Sequence, residues 1–316
     1  MREITRINPT YSTTRTLTLQ KPVIKKQVED KFETFLFLPE GMARQSEGGL
    51  RTQGYFKTSL EGKPLITVVT VAFNGDKFLE ETILSVINQS YDNMEYIIID
   101  GGSTDGTLDI IKKYEHVIDY WVSESDKGIY DAMNKGINLA TGDWLNFMNS
   151  GDSFHSDIII KKIFNNDIKE DVVFGKSISY HKEYQSLRYE NFETERENWY
   201  LYKMPNHQAT FIRKNIYKKL TYDLDFKYSS DTDYLRKVFN TSDFFESNEV
   251  ISLFKLGGKS NYYGNFNTYK DILINSIKVD KKYVKPILKH TIKFILQKIF
   301  GHDKYLKYYI KYLVKN

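Results

Sequence analysis

Between residues 64 and 152, short runs of β-branched and aliphatic residues alternate with stretches of helical periodicity. The run at 65–73, Leu-Ile-Thr-Val-Val-Thr-Val-Ala-Phe, is long enough for a strand buried on both faces. Asn74-Gly75-Asp76 stops it, and Leu79, Thr82, Ile83, Val86 and Ile87 then recur at helical spacing. Tyr96-Ile97-Ile98-Ile99-Asp100 predicts a second buried strand, closed by Gly101-Gly102-Ser103. A helix over 107–114, a strand over 118–122, a helix over 129–140 and a strand over 144–148 follow by the same reading. Strand and helix in alternation specify a parallel sheet covered on both faces. The fold class is therefore α/β, with a Rossmann-like, mostly parallel sheet. Ligands of such sheets bind outside the carboxyl ends of the strands. Here those ends carry Phe73-Asn74, Asp100 to Ser103, Ser123 to Asp126 and Asn149 to Asp152, so polar and acidic residues gather on one rim.

The flanks read differently. Residues 1–63 show weak periodicity and are broken by Gly41, Gly48, Gly49, Gly54 and Gly62. They are expected to drape over the main domain or to be partly disordered, with one short amphipathic strand or helix over 32–38. The main domain is expected over 64–260. Its second half has strands at 171–175 and 209–212, a hairpin arm over 180–189 and a helix over 231–239. Residues 261–316 form a third region. From Lys278 onward eleven lysines face two aspartates, a local charge of +9 that leaves −5 for the rest of a chain whose total is +4. Ile287, Leu288, Ile292, Ile295, Leu296 and Ile299 recur there at helical spacing, with lysines on another face and Pro286 limiting continuity. A basic amphipathic helix of this kind can lie in an anionic membrane interface. A helical pair docked on the body with solvated lysines has the same pattern. No nucleic-acid recognition fold accompanies the lysines.

A length of 316 residues with 41% hydrophobic content suffices for one sizeable core and a second small unit. The absence of cysteine excludes disulfides, thiolate metal sites and cysteine nucleophiles, and suits a reducing compartment. Residues 1–20 contain no apolar signal core, and no apolar run approaches the roughly 20 residues of a spanning helix. The expected location is cytoplasmic, peripheral on the inner face of the plasma membrane.

Two carboxylates stand out on the rim. Asp100 ends a strand and precedes two glycines, so it can accept hydrogen bonds from a ribose or base edge while Gly102 lets a ligand approach the backbone. It can equally serve the start of the next helix, where Ser103 and Asp105 compete as caps. Asp152 closes Met148-Asn149-Ser150-Gly151-Asp152. A departing diphosphate needs charge neutralisation, which Mg²⁺ or Mn²⁺ on a carboxylate supplies. The same four residues also make good turn chemistry.

Five ordered segments decide how these residues are read. They are Val68 to Asn74 with Glu81 to Ser90, Tyr96 to Thr107, and Glu124-Ser125-Asp126-Lys127-Gly128-Ile129-Tyr130-Asp131-Ala132-Met133-Asn134-Lys135-Gly136 with Gly142-Asp143-Trp144. Together they resemble the family 2 glycosyltransferases over about 64–256, most closely the branch that builds bacterial capsules, colanic acid and O-antigens. The resemblance implies a GT-A fold and an inverting transfer from a nucleoside-diphosphate sugar, UDP-linked in the first instance. The acceptor would be a growing cell-surface polysaccharide or a polyprenyl-diphosphate-linked oligosaccharide. It places Ala72, Phe73 and Asn74 against the nucleobase, and Asp100 and Gly102 at the base or ribose. Asp126, Lys127 and Gly128 fall near the nucleotide. The Asp-x-Asp element of that family falls on Asn149 to Asp152, where Asn149 and Gly151 stand at positions that are often acidic. The metal role passes to Asp152, with Asn149 beside the nucleotide.

An inverting transfer needs one general base to take the acceptor proton. The match is Ser229-Ser230-Asp231-Thr232-Asp233, with Asp231 as base and Asp233 as a structural or acceptor-side partner; a capping pair has the same form. Pro205-Asn206-His207-Gln208 resembles a His-Gln element of the branch. His207 can ligate the metal, bind phosphate or orient the acceptor, beside Gln208. Trp199, Tyr200 and Tyr202 can stack on an acceptor sugar or pack the core. Two other readings remain: a nucleotidyltransferase, although Asn74-Gly75-Asp76 is no triphosphate loop, and a catalytically weak or inactive scaffold of a polysaccharide assembly complex.

Overall fold

A computed structural model of the chain describes residues 4–24, 28–40, 43–181, 186–190 and 204–256. Its strands are β1 (Arg44–Gly48), β2 (Ile66–Ala72), β3 (Met94–Asp100), β4 (Tyr120–Glu124), β5 (Trp144–Phe147), β6 (Ser153–Phe154), β7 (Val172–His181), β8 (Ser186–Glu190), β9 (Thr210–Arg213) and β10 (Phe244–Leu256). The helices are α1 (Leu79–Ile87), α2 (Thr107–Lys113), α3 (Ile129–Leu139), α4 (Ile159–Phe164), α5 (Lys214–Tyr217) and α6 (Ser230–Thr241). All strands join one sheet in the order β1-β4-β3-β2-β5-β9-β7-β10-β6, with β8 on β7.

The four strands read most plainly from the sequence, β4-β3-β2-β5, are mutually parallel. Every residue of β2 and β3 is buried. Alternate side chains serve opposite faces. Val69, Val71, Ile97 and Ile99 pack under α3 and α6, while Ile66, Val68 and Ile98 pack under α1, α2 and α4. Full burial of each such aliphatic side chain contributes about 1.5–3 kcal/mol. Helix α3 lies close on β2 at Gly136, where an added Cβ would come within 2.5 Å of Val69 Cγ1. The chain reverses its order at β2, with β3 and β4 on one side and β5 on the other. That switch point opens a crevice at the carboxyl ends.

The second half is mixed. β9 runs antiparallel between β5 and β7, and β10 runs parallel to β7. The expected hairpin arm forms, with His181 opposite Ser186.

The N-terminal residues drape over this sheet and extend it. β1 pairs antiparallel with β4 at the edge. Ser12 Oγ donates to the Val86 carbonyl at 3.0 Å and Thr13 Oγ1 to that of Val117 at 2.6 Å. The expected strand or helix over 32–38 is absent: that stretch is irregular, and its apolar residues Phe32 and Leu38 enter the core individually. Amphipathic spacing there reflects contact with a curved surface rather than a regular element.

Two buried ion pairs fasten the segment at the end of the sheet opposite the crevice. Arg51 Nη2 meets Glu95 Oε1 at 2.7 Å, both side chains only 2% exposed. Arg51 also donates to the carbonyls of Leu36 and Leu139, and Glu95 accepts from Thr67 Oγ1 at 2.6 Å. Lys57 Nζ lies 3.0 Å from Asp119 Oδ2, equally buried. Removing one partner of a buried pair leaves an uncompensated charge. Arg51→Met should therefore lower the unfolding free energy by about 3–5 kcal/mol, read as an earlier midpoint in urea. An unchanged midpoint would contradict the assigned role of this pair.

Candidate active site

The rim is built from the loops that follow β2, β3, β4 and β5. Asn74 adopts a left-handed conformation, φ 52°. Its N–H donates to Ser103 Oγ at 2.8 Å, and its Oδ1 accepts from Thr104 N–H at 2.9 Å. Gly75 N–H donates to Thr107 Oγ1 at 2.8 Å. The loop after β2 is thus laced to the loop after β3. Phe73, half exposed, stands at its start, and Ala72 beneath it is buried.

Asp100 is fully buried. Its Oδ2 accepts from Ser103 N–H at 3.0 Å and from Ser123 Oγ at 2.6 Å, and its Oδ1 accepts from Ser103 Oγ. These bonds shape the Gly101-Gly102 turn and tie β3 to β4. Both carboxylate oxygens are thus engaged by Ser103 and Ser123. Gly102, at φ 80° and partly exposed, shapes the outer side of the turn.

Asp126 approaches the same turn. An added Cβ on Gly101 would lie 2.5 Å from Asp126 Oδ2. Burial pushes the Asp126 carboxyl above the ordinary aspartate range, with Asp131 and Asp100 adding to the effect. The Gly128 N–H, donating at 2.8 Å, and Lys135 oppose it. Lys127 and Gly128 are exposed, and Gly128 has φ 113°.

After β5, Thr82 of α1 fixes the turn from Asn149 to Asp152, donating to the Asp152 carbonyl at 2.7 Å and accepting from Gly151 N–H at 3.0 Å. Gln208 Nε2 donates to Asp152 Oδ2 at 2.7 Å. The 207–210 segment is itself held by Asn146, in the middle of β5. Its Nδ2 donates to the carbonyls of Gln208 at 3.0 Å and Thr210 at 2.9 Å, and more distantly to that of His207. His207 Nε2 lies 2.9 Å from Asn149 Nδ2. With the amide donating, the ring proton sits on Nδ1, on the side of Asp231, whose Oδ2 is 3.8 Å away. Asp231 Oδ1 accepts from Tyr130 Oη at 3.2 Å.

These contacts run in a closed circuit. Tyr130 follows the Asp126 to Gly128 loop and touches Asp231. Asp231 faces His207, which meets Asn149. The neighbouring Ser150 side chain abuts Gly75, next to Asn74, whose Ser103 partner holds Asp100. Residues from four strand ends and from α6 are brought to one place.

Asp233 is turned away. It is buried at 5% side-chain exposure and paired with Arg236 and Lys237, one helical turn on. That pairing holds its carboxylate within α6. Trp199, Tyr200, Tyr202 and the basic tail lie outside the described residues. Among the described residues, no helix is long and apolar enough to cross a membrane.

No three His, Asp or Glu side chains converge on a metal position among the described residues. Asp152 nevertheless sits in the same turn as Asn149, whose Oδ1 is buried without a hydrogen-bond partner. Carboxylate and amide oxygens are ligands that Mg²⁺ and Mn²⁺ accept, with water and phosphate oxygens completing the shell. The residues therefore fit a cation shared with a bound diphosphate.

Sequence reading passed over Tyr130 as a contact of Asp231, and Asn146 as the clamp on His207 and Gln208. Tyr130 lies at the start of the helix read over 129–140, and Asn146 inside an apolar strand. A polar residue in a four-residue buried strand was the available signal for Asn146.

The model of the family described as Glycosyl transferase family 2 matches residues 67–240, more than half of the chain. The putative teichuronic acid biosynthesis glycosyltransferase TuaG of Bacillus subtilis is 36% identical over 104 residues, 32% of this chain and 41% of that protein. The chain spans about a third to two fifths of the length of the first curated relatives it matches, 35% and 41% in two cases. Among solved structures, S. aureus TarS in complex with UDP-GlcNAc superposes with a TM-score of 0.53 at 15% identity, covering 74% of this chain and 73% of that one. A mannosyltransferase of Pyrobaculum calidifontis in complex with GDP-Man and Mn²⁺ gives 0.52 at 13% identity, covering 72% and 69%. At these identities the likeness speaks to the GT-A fold.

Burial pushes the His207 ring below the ordinary histidine value of 6.5, and the nearby Asp231 charge pushes it back up. The unfolded chain therefore takes up this proton first, and this residue's contribution to stability falls as pH drops through and below 6.5. Imidazole NMR should show His207 titrating below the range of a solvent-exposed histidine, and lower still in Asp231→Asn. A rise in that variant would show that Asp231 does not face the ring.

Proposed function

Because this chain belongs to glycosyl transferase family 2, we propose that it moves a sugar, with inversion, from a nucleoside-diphosphate donor to a hydroxyl acceptor. The donor is taken as UDP-linked, and the acceptor as a growing cell-surface polysaccharide or a lipid-linked oligosaccharide. The observation that carries this reading is the circuit itself. It sets Asp231, one third exposed, beside the strand ends where a nucleotide binds in sheets of this kind.

In this reading the exposed Phe73 ring stacks on the base, and the backbone at Gly102 and Gly128 approaches the nucleotide. Asp100 acts from beneath, by holding the Gly101-Gly102 turn. Asp126 flanks the same turn. The acceptor oxygen attacks the anomeric carbon as the bond to the diphosphate breaks on the opposite face. Asp231 takes the acceptor proton, and the nucleoside diphosphate leaves. Asp152 and the Asn149 amide oxygen would hold Mg²⁺ or Mn²⁺, which neutralises the departing diphosphate. Gln208 orients Asp152, and neutral His207 orients Asn149 and Asp231. TuaG, by its name, serves teichuronic acid biosynthesis, which supports a cell-surface glycan as acceptor. A peripheral position on the inner face of the membrane would rest on the lysine-rich tail.

The test is a UDP-sugar transfer assay beside UDP calorimetry on two variants. Asp231→Asn should bind UDP as the wild type does and lose turnover by about a hundredfold or more, within the usual weight of a general base. Asp152→Ala should keep the fold and lose nearly all transfer together with the Mn²⁺ dependence of UDP binding. Full activity in Asp152→Ala would remove the metal assignment. Lost UDP binding in Asp231→Asn would give that residue a structural role instead.

A further inference from the structure

The proposed base is gripped from the donor side. Asp231 opens α6, yet the residue that donates to its Oδ1 is Tyr130, from the first turn of α3, directly after the Asp126 to Gly128 loop. Oδ1 also accepts from Thr232 N–H at 2.8 Å. Oδ2 is turned towards His207, at 3.8 Å. One oxygen is thus anchored and the other points along the rim.

The tyrosine is itself rigidly placed. Its ring stacks on Tyr222 with centroids 5.7 Å apart and planes at 14°, and Tyr222 stacks on Tyr234 of α6 at 4.2 Å and 13°. Asn134 of α3 grips the Tyr222 backbone twice, donating to its carbonyl at 3.0 Å and accepting from its N–H at 2.9 Å. The ladder locks the start of α6 against α3. The stack and the Tyr130 hydroxyl thus tie Tyr234 and Asp231 of α6 to α3. The Tyr130 side chain is buried, and its hydroxyl donates into the first turn of α6.

We propose that Tyr130 is a positioning residue for the base, its hydroxyl fixing Asp231 Oδ1 so that Oδ2 is presented to the acceptor hydroxyl. This rests on the reading of Asp231 as base. It also makes the donor loop and the base one mechanical unit, since Tyr130 follows Gly128 by two residues. Displacement of the loop would then carry the base out of line.

Tyr130→Phe keeps the ring and its stack and removes only the hydroxyl. A hydrogen bond to a charged group is worth about 1.5–3 kcal/mol, so kcat should fall about tenfold to a hundredfold while UDP affinity and the acceptor KM stay near wild type. Because Tyr130 acts through Asp231, the double variant Tyr130→Phe/Asp231→Asn should be no slower than Asp231→Asn alone. A second readout needs no turnover. In protein labelled with [¹³Cζ]tyrosine, the resonance missing from the Tyr130→Phe spectrum should move when Asp231 becomes Asn.

A wild-type kcat in Tyr130→Phe, a loss of UDP affinity matching the loss of rate, or a double variant slower than Asp231→Asn by the full single-variant factor would each overturn the proposal. So would an unmoved resonance. A wild-type rate in Asp231→Asn would remove the base and with it the proposal above. An inactive Asp231→Asn with an unmoved resonance would remove Tyr130 alone.

Discussion

The parallel register of β2 with β3 and β5 is the constraint on which the rest depends. It sets Ala72 opposite Asp100 and Val69 opposite Phe147. β2 and β3 therefore end level, β5 ends earlier, opposite Val69, and the loops that follow all three open on one side. Both faces of β2 and β3 are buried, so a slip of one residue would exchange the α3 face for the α1 face along the whole strand. The glycines then fit the geometry the register imposes. Gly136 allows α3 down onto Val69, and Gly101 allows the Asp126 carboxylate against the β3 turn. Loops joined by Asn74, Ser103, Thr107 and Thr82 add little apolar burial. Their order comes from hydrogen bonds that the register brings within reach.

How much of this was legible in the sequence follows from the same physics. Strands buried on both faces are written as β-branched runs, so β2 and β3 stand out, while β5 is legible as a short aromatic and aliphatic run; the glycine-rich turns mark the rim. An edge strand has no such signature. β1 reads Arg-Gln-Ser-Glu-Gly and is held by backbone pairing to β4, while Arg44 reaches across to Glu124 at 3.1 Å. Arg51 and Lys57 look like surface charges in a polar stretch, because their acids, Glu95 and Asp119, lie 44 and 62 residues away. β10 was hidden for a related reason: its Glu246, Ser247, Asn248 and Glu249 interrupt the apolar pattern where the register with β7 shifts.

The site shows the same division. The rim could be located by strand ends alone, and Asp231 by the family resemblance together with its place at the start of a helix. What the sequence could not convey is the direction in which each carboxylate faces. Asp100 turns inward to two serines, Asp233 turns to Arg236 and Lys237, and Asp231 turns to Tyr130 and His207. Three aspartates with similar sequence signals thus take three different places, and each is decided by partners supplied from elsewhere in the chain. A single acid in the turn after β5, with a neutral amide and a neutral imidazole beside it, leaves the charge balance of the site to whatever binds there.

Hydrogen exchange with and without UDP and Mn²⁺ tests the central claim most directly, because it reports which edge of the sheet receives the nucleotide. The account predicts added protection in residues 72–76, 100–107, 123–128 and 149–152, with the opposite edge around Glu95, Asp119 and Thr141 unchanged. Protection confined to that opposite edge, or none at saturating UDP, would contradict it.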